Sequence, residues 1–125
     1  MSKTILMVDD DLDYLEAMKA LLESNGYRVV TESNGQRGFD AMRQQKPDLL
    51  LLDVMMPNSD GFDIARALHS DEELKKVPVI IVSGIRKEMR LPFSYEPDET
   101  WLPVKAVLEK PVKPEQLLKT IQEFL

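Results

Sequence analysis

The sequence contains no cysteine, so it cannot form a disulfide, a thiolate nucleophile or a cysteine-based zinc site. It has a single histidine, His69, which we expect to be a solvated residue at the polar end of a helix. No apolar stretch approaches the roughly 20 residues that a membrane span requires. The residues before the first predicted strand show no signal-peptide pattern. These absences predict a cytoplasmic protein without membrane insertion.

The composition predicts one globular domain covering residues 1–125. Hydrophobic residues make up 43% of the chain and charged residues 30%, as in a folded protein rather than a disordered one. The length allows one hydrophobic core but not two. The formal net charge of −6 argues against direct binding of nucleic acid, because contacts with phosphates require basic clusters.

Strand and helix patterns alternate along the whole chain. Short aliphatic runs are typical of strands that are buried on both faces of a parallel sheet. The strands are predicted at residues 3–8, 27–32, 48–53, 79–82 and 106–109, and helices at about 12–24, 36–45, after 61–62, and at 114–125. This order predicts an α/β fold of (βα)5 type. The expected architecture is a flavodoxin-like three-layer sandwich whose five parallel strands have the order 2-1-3-4-5.

The stretch between residues 85 and 105 fits this pattern least well. Its three prolines, Pro92, Pro97 and Pro103, predict a short fourth helix followed by an irregular segment. Phe93 and Trp101 are interpreted as anchors that bury this segment, with an exposed aromatic patch for a partner as the alternative.

Chemically active side chains follow the predicted strands. Asp9 and Asp10 follow the first strand and Asp53 follows the third, while Ser83 and Lys110 end the fourth and fifth. Because strands 1 and 3 are neighbours in this order, their carboxylates are expected to converge. Clustered carboxylates repel one another, and Mg²⁺ is the cation best suited to such oxygen ligands.

This arrangement is suited to phosphoryl chemistry. A carboxylate can attack phosphorus to give an acyl phosphate, while a metal and a lysine offset charge on the phosphoryl oxygens. Taken singly, each residue also has a structural interpretation. Asp9–Asp11 can cap a helix, Ser83 can belong to a turn, and Lys110 can be a solvated lysine. The Asp60-Gly61 pair is interpreted as an ordinary turn.

These motifs together resemble the receiver domain of two-component response regulators. The matching segments are Ile5-Leu6-Met7-Val8-Asp9-Asp10-Asp11, Leu52-Asp53-Val54-Met55-Met56-Pro57 with Asp60-Gly61, Val82-Ser83-Gly84 and Glu109-Lys110-Pro111. The resemblance covers the whole chain. It implies a stand-alone receiver without an output domain, which accepts a phosphoryl group from a sensor histidine kinase or a phosphotransfer protein and then changes its binding to a downstream protein.

The resemblance also implies a role for each matching residue. Asp53 is the expected phosphoacceptor, Ser83 the switch hydroxyl and Lys110 the phosphate contact. Magnesium is expected on Asp10, Asp53 and the backbone carbonyl of Met55, with Asp9 assisting through water. The Lys110–Pro111 bond is expected to be cis.

The sequence departs from the family pattern in three places. Val107 stands where an aromatic residue is common, Gly84 stands where alanine is usual, and the segment between Ser83 and Lys110 is longer and richer in proline. In addition, the apolar residues Met55 and Ile85 stand two positions beyond Asp53 and Ser83. In the family such groups position an attacking water poorly, which leads to the hypothesis of a long-lived phosphoryl group.

Two other functions are compatible with parts of the sequence. Asp9-Asp10-Asp11 contains the D-x-D pattern of small phosphatases of the haloacid dehalogenase type, in which Asp9 would be the nucleophile. Asp13, however, stands where that family has threonine or valine, and Asp53 is left without a nucleophilic role. A degenerate receiver that acts as a constitutive binding platform is the second alternative. We therefore expect a signalling switch rather than an enzyme that turns over a separate substrate.

Overall fold

Aliphatic runs form the strands of a parallel sheet in a computed structural model that describes residues 3–53, 55–56, 59–83 and 104–125. Leu49–Leu52 and the inner residues of the neighbouring strands are almost completely buried, as expected for strands covered on both faces. In chain order the strands are β1 (Thr4–Val8), β2 (Arg28–Glu32), β3 (Leu49–Leu52), β4 (Met55–Met56), β5 (Ser59–Asp60), β6 (Val79–Ser83) and β7 (Ala106–Glu109).

The main sheet contains five of the described strands in the order β2-β1-β3-β6-β7, all parallel. Counted within this sheet alone, the order is 2-1-3-4-5, which confirms the predicted topology. The register pairs Val8 at the end of β1 with Leu52 at the end of β3. Both strands therefore end at the same level, and the residues that follow them lie side by side.

Helices cover the two faces of the sheet. They are α1 (Leu12–Ser24), α2 (Gly35–Gln45), α3 (Gly61–His69) and α4 (Pro114–Phe124), with a 3-10 turn at Leu74–Lys76. Residues of α1 and α4 share a buried cluster with one face of β1, and residues of α2 and α3 share a second cluster with the opposite face. This division confirms the three-layer sandwich. His69 is exposed at the end of α3, as predicted.

Part of the chain between β3 and α3 forms two short strands. Met55 pairs with Asp60 and Met56 pairs with Ser59 in a small antiparallel hairpin. The interpretation of Asp60-Gly61 as an ordinary turn was wrong, because Asp60 ends β5 and Gly61 begins α3. The predicted fourth helix, Phe93 and Trp101 lie outside the described residues. None of the described helices combines the length and apolarity needed to cross a membrane.

Candidate functional site

Three carboxylates meet at the carboxyl-terminal edge of the sheet. Asp9 directly follows β1 and Asp53 directly follows β3, and the Asp53 backbone N–H donates a hydrogen bond to the Val8 carbonyl at 2.9 Å. Carboxylate oxygens of Asp9, Asp10 and Asp53 all lie within 4.8 Å of one another. Asp9 and Asp53 are buried, with 3% and 6% of their surface exposed, whereas Asp10 is exposed. The predicted convergence of the acids is therefore confirmed.

Burial dominates the electrostatics of Asp9. It raises the pKa of this carboxyl above the ordinary value, and the nearby charge of Asp53 adds to the increase. Two contacts act in the opposite direction: Lys110 donates to Asp9 Oδ2 at 2.7 Å, and the Asp11 backbone N–H donates to Asp9 Oδ1 at 2.9 Å. Asp9 is thus a buried acid whose charged form depends on neighbouring positive charge.

Lys110 supplies the positive charge of this site. It directly follows β7, and its Nζ lies 2.7 Å from Asp9 Oδ2 and 3.8 Å from Asp53 Oδ2. The lysine side chain is 24% exposed, so its charge is only partly screened by water. The peptide bond between Lys110 and Pro111 is cis, which confirms the expectation drawn from the resemblance.

The structure adds one residue that the sequence did not single out. Tyr14 lies in the first turn of α1, and Lys110 Nζ lies over its ring, 4.3 Å from the ring centroid. Burial raises the pKa of Tyr14 to about 12, with further contributions from the charges of Asp9, Asp53 and Asp11. The hydroxyl is buried and has no hydrogen-bond partner within the described part of the chain. In the sequence, the only indication of this contact was an aromatic residue shortly after the acidic residues that follow the first strand.

The structure describes the remaining predicted residues less fully. Ser83 is the last residue of β6 and pairs with Glu109, the residue before Lys110. The Ser83 side chain lies outside the described part of the structure. Met55 lies in β4, two positions beyond Asp53. Ser83 therefore ends a strand, and Met55 follows one, at the edge of the sheet where the carboxylates lie.

The carboxylate cluster fits a hard divalent cation. Buried, mutually repelling carboxylates are stabilised by such an ion, and Mg²⁺ prefers one or two carboxylates together with water. The exposure of Asp10 leaves one side of the cluster open to solvent. These features are those of a magnesium site.

Comparison with known proteins places the chain in a family. The family model of the response regulator receiver domain matches residues 5–122. The chain belongs to this family. It is therefore a receiver domain of two-component signalling, and the phosphatase alternative is not favoured. Receiver domains bind Mg²⁺ at an acidic pocket and interact with histidine kinases or phosphotransfer proteins and with downstream targets.

Relatives of this receiver domain cover almost its whole length. It is 39% identical over 124 residues to protein PilH of Pseudomonas aeruginosa, a match that covers 97% of this chain and 96% of PilH. It is 28% identical over 128 residues to the polar-differentiation response regulator DivK of Brucella anthropi, covering 100% and 98% of the two chains.

A solved structure agrees with the fold of this receiver domain. The chemotaxis response regulator CheY4 of Vibrio cholerae matches with a TM-score of 0.83 and 25% identity, and the match covers 100% of both chains. The architecture described above is accordingly that of CheY-like receivers.

Proposed function

We propose that Asp53 is the phosphoacceptor of this receiver. The observation that carries the proposal is the position of its carboxylate: Asp53 is buried at the end of β3, and Lys110 Nζ lies 3.8 Å from its Oδ2. Attack of a carboxylate oxygen on phosphorus is favoured when the charge on the phosphoryl oxygens is offset. The Lys110 ammonium supplies part of that compensation on the same side of the sheet.

The proposed donor is a phosphohistidine of a sensor kinase or phosphotransfer protein. A carboxylate oxygen of Asp53 forms a bond to phosphorus while the bond between phosphorus and the histidine nitrogen breaks. The electron pair of the broken bond remains on the imidazole of the donor protein. Lys110 then moves from Asp9 towards the new phosphoryl oxygens, which carry the larger negative charge.

The proposed metal ligands are Asp10, Asp53 and the backbone carbonyl of Met55, with Asp9 acting through water. When bound, Mg²⁺ compensates charge on the carboxylates and on the phosphoryl oxygens. The pairing of Asp9 with Lys110 at 2.7 Å supports an indirect role for Asp9, because one of its oxygens is already bound by the ammonium. Asp10 is exposed and pairs with no such cation within the described residues.

The proposed output is a change in protein binding, without turnover of a separate substrate. Phosphorylation adds charge and acceptor oxygens, and the Ser83 hydroxyl is proposed to follow them and move its loop. Val107 is half-buried and packs against the core cluster shared by α2 and α3. Because Val107 is not aromatic, we propose that the signal travels through the segment that follows Ser83 rather than through a rotating ring.

We further propose that residues 1–125 form a single receiver domain that acts in the cytoplasm, without direct contact to nucleic acid. The family model, which matches residues 5–122, supports the single domain. The proposed downstream partner is a protein target of the switch.

Labelling with a small phosphodonor tests the proposed function. Acetyl phosphate with Mg²⁺ should label the wild-type chain, and Asp53→Asn should abolish the label. Asp48→Asn is the matched control, since Asp48 precedes β3 at the opposite end of the strand and binds the Thr4 backbone N–H. Undiminished labelling of Asp53→Asn, or equal loss in Asp48→Asn, would refute the assignment.

A further inference from the structure

The ring of Tyr14 contacts Lys110 across the site. Tyr14 belongs to α1, which follows β1, whereas Lys110 follows β7 at the far edge of the main sheet. Lys110 Nζ nevertheless lies over the Tyr14 ring, 4.3 Å from the ring centroid. Tyr14 also lines one small cavity together with Asp9 and Asp53. The aromatic ring is therefore part of the immediate surroundings of the phosphoryl site.

The contact between Lys110 and Tyr14 is a cation–π interaction, which can hold the ammonium in place without neutralising its charge. A lysine ammonium is attracted to the negative face of an aromatic ring, more strongly when both are partly withdrawn from water. Lys110 is 24% exposed, and a tyrosine phenol, with an ordinary pKa of about 10, is neutral at physiological pH. The ring thus leaves the positive charge of Lys110 available, whereas a carboxylate at position 14 would compete with a phosphoryl group for it.

Asp9 alone would hold the ammonium in the wrong place for transfer. Its Oδ2 binds Nζ at 2.7 Å, while Asp53 Oδ2 is 3.8 Å away. A long lysine side chain has many rotamers, and each additional fixed contact reduces the number that it samples. The ring face supplies a third contact to the ammonium, in addition to those of Asp9 and Asp53.

We propose that Tyr14 is a positioning residue for Lys110, whose ring keeps the ammonium within reach of a phosphoryl group on Asp53. This proposal rests on the proposed function of Asp53. It predicts that loss of the ring slows phosphorylation only when a lysine is present at position 110.

The rate of labelling by acetyl phosphate with Mg²⁺ tests this proposal in the full chain. Tyr14→Leu should lower the rate by about fivefold or more, which is the factor that corresponds to a cation–π contact of about 1 kcal/mol. Tyr14→Phe retains a ring and should lose less. Tyr27→Leu is the matched control: it removes a half-buried tyrosine ring from the same core cluster, next to the start of β2, and should leave the rate unchanged.

The coupling to Lys110 separates positioning from packing. In a Lys110→Met background, Tyr14→Leu should change the rate by less than about twofold, because two residues that act together are not additive. In the unphosphorylated wild type, the ring current should shift the Lys110 ε-proton resonances upfield relative to those of other lysines, and Tyr14→Leu should abolish this shift. Tyr14→Met is a second ringless variant in case the leucine variant does not fold.

The outcomes distinguish this proposal from the proposed function. If the wild type is labelled but the ringless variants are labelled equally fast, only the positioning role is overturned. The positioning role is also overturned if Tyr14→Leu slows labelling equally in the Lys110→Met background. It is likewise overturned if Tyr27→Leu slows labelling as much as Tyr14→Leu does. If the wild type is not labelled, the phosphoacceptor role fails, and the positioning role fails with it.

Discussion

Lys110 Nζ lies 2.7 Å from Asp9 Oδ2, which joins the end of β7 to the end of β1 across the site. The lysine offsets the charge of a buried acid before any phosphoryl group is present. Phosphorylation of Asp53 would offer the ammonium a more highly charged partner. In this account, the exchange of partners by Lys110 is an early consequence of phosphorylation.

Lys110→Met should raise the pKa of Asp9 further. The hydrogen bond and charge of Lys110 lower this pKa, while burial and Asp53 raise it, so removing the lysine leaves the raising effects less opposed. Carboxyl-carbon NMR titration without metal measures the change. A pKa of Asp9 that stays the same or decreases in the variant would contradict the described ion pair.

The sign of the accompanying stability effect follows from linkage. Asp9 has a higher pKa in the folded chain than the ordinary 3.8, so the folded state binds this proton more tightly than the unfolded state. The Asp9 contribution to the free energy of unfolding should therefore be most favourable near and below pH 3.8. It should be lost as pH rises through the raised pKa. In Lys110→Met this window should extend to higher pH.

Tyr14→Phe should not destabilise the protein, although it shortens a partly buried side chain. It removes a buried hydroxyl that has no hydrogen-bond partner among the described residues. Removal of such an unpaired hydroxyl is expected to raise the free energy of unfolding by up to about 1 kcal/mol. Urea unfolding at neutral pH provides the measurement. A decrease of more than about 1 kcal/mol would mean that the hydroxyl has an important partner.

Gly38→Ala should destabilise the fold close to the site. A Cβ atom at position 38 of α2 would lie 2.7 Å from Val8 Cγ2, and Val8 immediately precedes Asp9. Such overpacking costs about 1–3 kcal/mol, which exceeds the helix-propensity gain of about 1 kcal/mol for replacing glycine. Chemical denaturation measures the loss. In a Val8→Ala background the same change should cost much less, and an equal cost there would refute this explanation.

The phosphoryl group on Asp53 should persist for longer than seconds after the donor is removed. The hypothesis rests on the apolar residues Met55 and Ile85, which are poorly suited to orienting an attacking water. Met55→Asn, which provides a polar side chain at position 55, should shorten the lifetime. Decay of the label after rapid desalting measures both proteins. Loss within seconds in the wild type, or no effect of Met55→Asn, would count against the hypothesis.

The sequence predicted the sheet and its acids because the signals there are local. The run Leu49–Leu52 is uniformly aliphatic, and the carboxylate of Asp53 follows it directly, so one strand assignment also placed the acid. The topology then brought Asp9 to the neighbouring strand end. These predictions needed only the assignment of short aliphatic runs to buried strands and the rule that ligands bind at the carboxyl ends of parallel strands.

The contacts that were missed depend on tertiary structure. Tyr14 and Lys110 are far apart in the sequence and come together only in the folded chain, and nothing in the local sequence indicates that contact. The β4–β5 hairpin contains two residues in each strand, too few for any periodicity to appear. The close approach of Gly38 to Val8 likewise depends on how α2 lies against β1.

Identification of the phosphorylated aspartate tests the central claim most directly. The wild type is labelled with acetyl phosphate and Mg²⁺, the acyl phosphate is trapped by borohydride reduction, and peptides are sequenced by mass spectrometry. The account predicts reduction of the Asp53 side chain to that of homoserine, with no reduction at Asp9 or Asp10. A modified Asp9 with an intact Asp53 would contradict the account.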